Sequence, residues 1–319
     1  MIPDSRVQEL RRMAAAMGPD VSISASVLTR LTDDVVARGP IGQLIGNHPD
    51  ACEPLFCLRA LAGVRWLVLT GHAPHLAAHL EHVTPNLGNA AYIERTWTLF
   101  RQALLTHPDE ILAAMDRPVQ QHQPDRAGAL LRGLGMLRAP RIRLLELGAC
   151  AGLNLLLDRY RWFGPGWEWG DANSPVRLAT TGPAPGDFGI VDRAGCDLAP
   201  RDAADPEDAR ILRSFLPPER DIEQMDLDDA IALASRTGLR IDKADAIDWL
   251  VAKLSAANDE PGLLTVVWHS LFWWYLPPEK QAAIDRILAM ASRRIQLARV
   301  AFEPDSWSGA PRLQVHVYS

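Results

Sequence analysis

The chain has 319 residues, of which 48% are hydrophobic and 23% charged, with a formal net charge of −6. This is the composition of an ordinary soluble globular protein with ample core. The acidic balance argues against a broad nucleic-acid surface, which needs a basic patch, and no apolar run approaches the roughly 20 residues of a membrane helix.

The N-terminus, Met1-Ile-Pro-Asp-Ser-Arg6, lacks the charged-then-apolar pattern of a secretion signal. Cys52, Cys57, Cys150 and Cys196 show no zinc spacing, so reduced thiols in a cytoplasmic protein are the expectation. Residues 1–139 read as helical throughout, because apolar positions recur at helical spacing without β-rich alternation. Arg6–Met17 is amphipathic, and Ala51–Thr70 is a long apolar helix that Gly71 ends. His72, His75, His79 and His82 form a stripe on a helix beginning near Pro74. Ten residues of helix span about 15 Å, too far for one ion, so these histidines read as solvated or capping and no metal is expected. Asn89–Thr106 carries Ile93, Trp97, Phe100 and Leu104 at helical spacing, and Asp125–Leu137 is a further short helix. The polar stretch Arg117–Leu130 offers Gln120 and Arg126 to a cofactor carboxylate or a substrate, or is an interdomain loop. Pro140 marks the boundary.

From Arg141 onward, short apolar strands alternate with helices, the pattern of a mostly parallel sheet with crossovers. Strands are predicted at 142–147, 188–197, 239–242, 263–269, 296–302 and 312–318. Helices are predicted at 153–160, 206–215, 221–236, 244–256 and 278–292. The stretch 164–200, rich in Pro and Gly, reads as a long irregular excursion.

Four motifs of this region carry candidate chemistry. In Arg141-Ile-Arg-Leu-Leu-Glu146-Leu-Gly148-Ala149-Cys150-Ala-Gly152-Leu-Asn154, a buried strand ends in an acid and turns through a glycine-spaced loop into a helix. The spacing Glu-x-Gly-x-x-x-Gly differs from the Gly-x-Gly-x-x-Gly of dinucleotide-binding enzymes. An acid at that place suits a ligand with an ammonium group, such as S-adenosylmethionine. The bland alternative is that both glycines only permit tight strand–helix packing. Gly195-Cys-Asp197 resembles the end of the second strand in class I methyltransferases, which implies an acid that accepts from ribose hydroxyls, with Asp171 the alternative and an exposed acidic loop the bland reading. Ala244-Asp245-Ala246 is similar to the third-strand turn of class I methyltransferases, which implies an acid that holds the adenine amino group; alternatively Asp245 is only a helix N-cap. Finally, Trp268-His269-Ser-Leu-Phe272-Trp273-Trp274-Tyr275 ends a buried strand in a histidine and an aromatic run. His269 is a candidate general base and Tyr275 its neighbour, while Trp273 is a candidate substrate wall; otherwise all three are core or interface.

Taken together, these motifs resemble an uncharacterised bacterial domain-of-unknown-function family with a class I S-adenosylmethionine-dependent methyltransferase-like fold. The resemblance implies an α/β, Rossmann-like sheet (140–319) with a helical N-terminal cap domain (1–139), and a cofactor fold rather than a defined reaction. Two departures stand out. His122 and Gln123 replace the Asn and Glu expected in the polar motif that holds Gln120 and Arg126. The chain also stops inside an apparent strand, Val315–Ser319, so the closing hairpin is missing or this member ends early.

The expected activity is methyl transfer from S-adenosylmethionine to an unidentified small molecule. Glu146, Gly148, Ala149, Gly152, Asn154, Asp197, Asp245 and Ala246 would hold the cofactor. His269 and Tyr275 would serve catalysis, and Gln120, Arg126 and Trp273 the substrate. The partners considered are the small-molecule methyl acceptor and, as an assembly, a homodimer. The rivals are a non-catalytic protein that binds the cofactor or a partner, and a nicotinamide- or flavin-dependent oxidoreductase.

Overall fold

A computed structural model describes residues 4–53, 55–305 and 309–318. The chain is mixed α/β and divides into two compact units, Met1–Gln121 with Ala209–Met225, and His122–Asp208 with Asp226–Ser319.

The first unit is helical. It holds α1 (Asp4–Ala16), α2 (Ser22–Val36), α3 (Pro40–Ile45), α4 (Phe56–Leu69), α5 (Pro74–Leu80), α6 (Ala90–Thr106) and α7 (Pro108–Met115). Helices α3, α5 and α7 each start on a proline, whose missing N–H is harmless in the first turn. The Asn89 side chain caps α6 by accepting from the Ala91 and Tyr92 amides. Leu28, Leu31, Ile41, Leu67, Leu104 and Ile111 are buried in one apolar cluster. Helices α2, α3 and α7 had no counterpart in the sequence reading. The histidine stripe is not simply solvated: His79 Nε2 lies 2.9 Å from Thr96 Oγ1 and its ring stacks on Tyr92. Among the described residues, no three His, Cys, Asp or Glu groups converge as metal ligands, and no helix is long and apolar enough to cross a membrane.

The second unit is built on a six-stranded sheet. In chain order it contains α8 (Ala127–Leu137), β1 (Arg141–Leu147), β2 (Arg161–Gly164), β3 (Trp167–Gly170), β4 (Arg177–Ala179) and β5 (Gly189–Asp197). Helices α9 (Pro206–Ser214) and α10 (Asp221–Thr237) follow; their stretch 209–225 belongs to the helical unit. Then come β6 (Asp242–Lys243), α11 (Ala246–Ala256), β7 (Leu263–Ser270), α12 (Pro278–Ala291), β8 (Leu297–Pro304) and β9 (Pro311–Tyr318). The strand order is β6-β5-β1-β7-β8-β9, with all pairs parallel except β8–β9. Strands β1 and β7 are central and parallel, so β1 from Leu144 onward and nearly all of β7 are buried on both faces, without the alternation of a half-exposed strand. Residues of α11 and α12 join Leu145, Leu147 and Val267 in one core. Helix α8 covers the other face; a Cβ at Gly133 would lie 2.5 Å from Val300 of β8, so only glycine permits that approach.

Several expectations need correction. The predicted strand 239–242 shrinks to two residues at 242–243. The predicted helix 153–160 is a 3₁₀ segment, Leu153–Arg159, tied to β5 by the paired contacts of Arg193 with Asp158. The excursion is partly ordered, for β2, β3 and β4 form a second sheet of strand order β3-β2-β4. Its strands are three or four residues long, too short to display a period, and they are anchored by fully buried Trp162. The strand expected at 312–318 is present as β9, antiparallel to β8 along its whole length, so a β8–β9 hairpin closes this edge of the sheet.

Candidate cofactor site

Strand order reverses about β1: β5 and β6 lie to one side, β7 and β8 to the other. The crevice beyond the carboxyl end of such a strand is where open α/β sheets take ligands. Glu146 occupies that end and is buried. Its Oε1 accepts from Asn154 Nδ2 at 2.8 Å and from Trp268 Nε1 at 3.1 Å. Its Oε2 is buried without a partner, as is Asn154 Oδ1. Two acceptors are therefore left over in one buried place. Burial pushes the Glu146 carboxyl up to about 8, against the opposing pull of its two donors.

The turn after β1 is strained. Gly148, Cys150 and Gly152 all adopt left-handed backbone, with φ of +68°, +51° and +72°. Asp197, at the tip of β5, holds this turn: its Oδ2 accepts from the Cys150 amide and its Oδ1 from the Ala199 amide, each at 2.9 Å. The Ala149 amide donates to the Cys196 carbonyl, and the Arg201 amide to that of Cys150. Two surfaces of the turn are already occupied. A Cβ at Gly148 would lie 2.5 Å from the Phe272 ring, and one at Gly152 would lie 2.6 Å from Ile241. Burial raises the Cys150 thiol far above neutrality, so it is no nucleophile.

Across the rim lies a second polar group. Register pairs Glu146 with Trp268, and His269 with Ala301, so period-two alternation places His269 and Glu303 on the opposite face from Glu146. Glu303 Oε1 lies 2.7 Å from His269 Nδ1 and accepts from the amides of Phe272 and Trp273 at 3.0 and 3.2 Å. A carboxylate only accepts, so Nδ1 is the ring nitrogen that donates to Glu303, and Nε2 is turned away from it. That Nε2 is buried without a partner. The ring stacks on Trp273, with centroids 5.0 Å apart.

The remaining predicted residues divide. Arg126 is half-buried, lies close enough to feel Glu303, Tyr275 and Cys150, and its charge opposes the raised state of Glu146. Tyr275 is exposed on the same loop as Trp273. Asp245 caps α11 through the Ile247 amide and pairs with Lys280 at 2.8 Å, so its carboxyl lies below the usual range; Ala246 opens that helix. Asp171 is on an exposed turn after β3, where it accepts from the Asn173 amide. Gln120 is buried and belongs to the helical unit. His122 is buried with an unpartnered Nε2, and burial lowers it to about 3, so it is neutral. Sequence reasoning missed Trp268, Phe272 and Glu303; a lone acid closing the apolar strand Val300-Ala-Phe-Glu303 was the available signal.

Residues 7–319 match the model of the family described as "Uncharacterized protein conserved in bacteria (DUF2332)". No curated protein matches the chain. The match covers nearly the whole chain, and the chain belongs to that family.

Proposed function

We propose that this member of the DUF2332 family is an S-adenosylmethionine-dependent methyltransferase acting on a small molecule, and that its sheet unit is Rossmann-like. The observation that carries the reading is the pair of unpartnered buried acceptors, Glu146 Oε2 and Asn154 Oδ1, at the reversal point of the sheet. An ammonium group supplies the N–H donors that such acceptors lack. The strand order and the strained turn after β1 support the same reading.

Glu146 and Asn154 would bind the amino end of the cofactor, and Asp197 would keep the turn in shape for it. Bound there, the cofactor would supply an already activated methyl group, so catalysis rests mainly on alignment. His269 would accept a proton from the methyl acceptor at Nε2, with Glu303 fixing the tautomer. Arg126 would complement a carboxylate. Phe272 lies over Gly148 and His269 is buried, so both steps require the 271–275 loop to shift. Phe272 also favours one rival, a family member that takes no cofactor.

Calorimetry with S-adenosylhomocysteine tests the reading. The wild type is expected to bind and Gly148→Trp to lose binding at least about 100-fold. At pH 7 the ammonium group of S-adenosylhomocysteine, set against Glu146, would favour the ionised carboxylate, so binding should release close to one proton, seen as a heat that varies with the buffer. Silence from the wild type decides for the rival.

A further inference from the structure

The helical unit contains a partly open cavity that, with the solvent at its mouth, encloses about 730 Å³. Its walls are largely apolar: Ile23 and Val27 of α2, Leu61 of α4, Leu76 of α5, Phe100 of α6 and Phe215. Ser24, Thr96, Gln121 and Ser214 also line it, and one lining residue is charged. Arg65, on α4, reaches the cavity, and its Nε is buried with no hydrogen-bond partner.

The nearest acids do not engage it. Glu219 is buried, with its two carboxylate oxygens taken at 2.6 Å by the Ser24 amide and the Ser24 hydroxyl. Asp221 accepts from Thr84. Both act on Arg65 only through their field. A guanidinium always carries its charge, and an unpaired one in an apolar cavity is costly unless something completes it. The apolar walls reject a strongly hydrated ligand, and the guanidinium rejects a cation. The field of Glu219 and Asp221 disfavours a doubly charged anion such as a phosphate monoester.

We infer that this cavity is a binding site for an amphipathic monoanion, a carboxylate on an aliphatic or aromatic body, whose head accepts from Arg65 while its body fills the apolar walls. The site is independent of the cofactor reading, since every residue it uses belongs to the helical unit.

Titration calorimetry of the full chain with decanoate and with decanol tests it. The two probes share an apolar body and differ in the head. The wild type is expected to bind decanoate at least about tenfold more tightly than decanol. Arg65→Met should cut that preference below about threefold, Arg65→Lys should keep part of it, and Leu61→Trp should fill the space and weaken both probes. The inference is overturned if the wild type binds neither probe, if it does not prefer decanoate, or if Arg65→Met leaves the preference intact. Should Arg65→Met fail to fold, Leu61→Trp decides: undiminished decanoate binding places the probe elsewhere and overturns the site.

Discussion

The sheet rim and the helical cavity both bury an ionisable side chain with a polar atom to spare, but by opposite means. Glu146 ends a strand and receives two neutral donors, from Asn154 and Trp268. Arg65 projects from a helix among apolar walls, and only the distant field of Glu219 and Asp221 offsets it. A carboxyl can escape the penalty of burial by keeping its proton, and Glu146 does so up to about pH 8. A guanidinium has no such escape. The rim is thus poised to change charge on meeting a cation, while the cavity holds a fixed charge awaiting an anion.

The largest effect should come from the network that organises the rim. Glu303→Ala removes the acceptor of His269, Phe272 and Trp273 together. Orphaning these groups is expected to cost about 3–5 kcal/mol in chemical denaturation. A loss under about 1 kcal/mol would mean that other contacts hold the 271–275 loop.

The charge change itself is tested by Glu146→Gln. Because Glu146 stays protonated in the folded chain well above the ordinary carboxylate range, the folded state holds a proton that the unfolded state has lost. Its contribution is favourable at low pH and is lost as pH rises from about 4.5 through about 8. The variant should match the wild type near pH 4 and exceed it by a few kcal/mol, in order of magnitude, at pH 9. Parallel stability curves would contradict the buried-acid account.

Arg65→Met sharpens the contrast from the other side. Replacing a half-buried cation whose buried Nε has no partner with an apolar side chain of similar length should stabilise the ligand-free chain by about 1–3 kcal/mol, seen as a higher Tm. A drop would mean that Arg65 is anchored rather than waiting. The smallest effect is expected at Asp245→Ala, where a helix cap worth about 1 kcal/mol is lost and the partly exposed Lys280 pair adds little.

Much of the sheet unit was legible because central parallel strands are apolar on both faces and announce themselves as runs, as in 142–147 and 263–269. The acid and glycines of the first turn were legible for a related reason: a strand end that must bend within five residues needs left-handed backbone, and Gly148 and Gly152 supply it. Helices α3 and α7 were not singled out because, at six and eight residues, they are too short to repeat the helical period more than about twice, whereas the one-sided face of α2, Ile23, Val27, Leu28 and Leu31, was a signal left unread. The pairing of His269 with Glu303 spans 34 residues, and no local pattern specifies it.

By itself, the sequence determined where the chain is strand or helix over its strongest runs, and which acids and glycines close β1. Those are local properties, set by side-chain period and by the backbone freedom of single residues. Only the tertiary structure decided that Glu146 and His269 lie on opposite faces, that Phe272 covers Gly148, and that Arg65 is left without a partner. Each depends on residues far apart in the chain being packed together, and burial, which gives a charge its consequences, is a property of that packing alone.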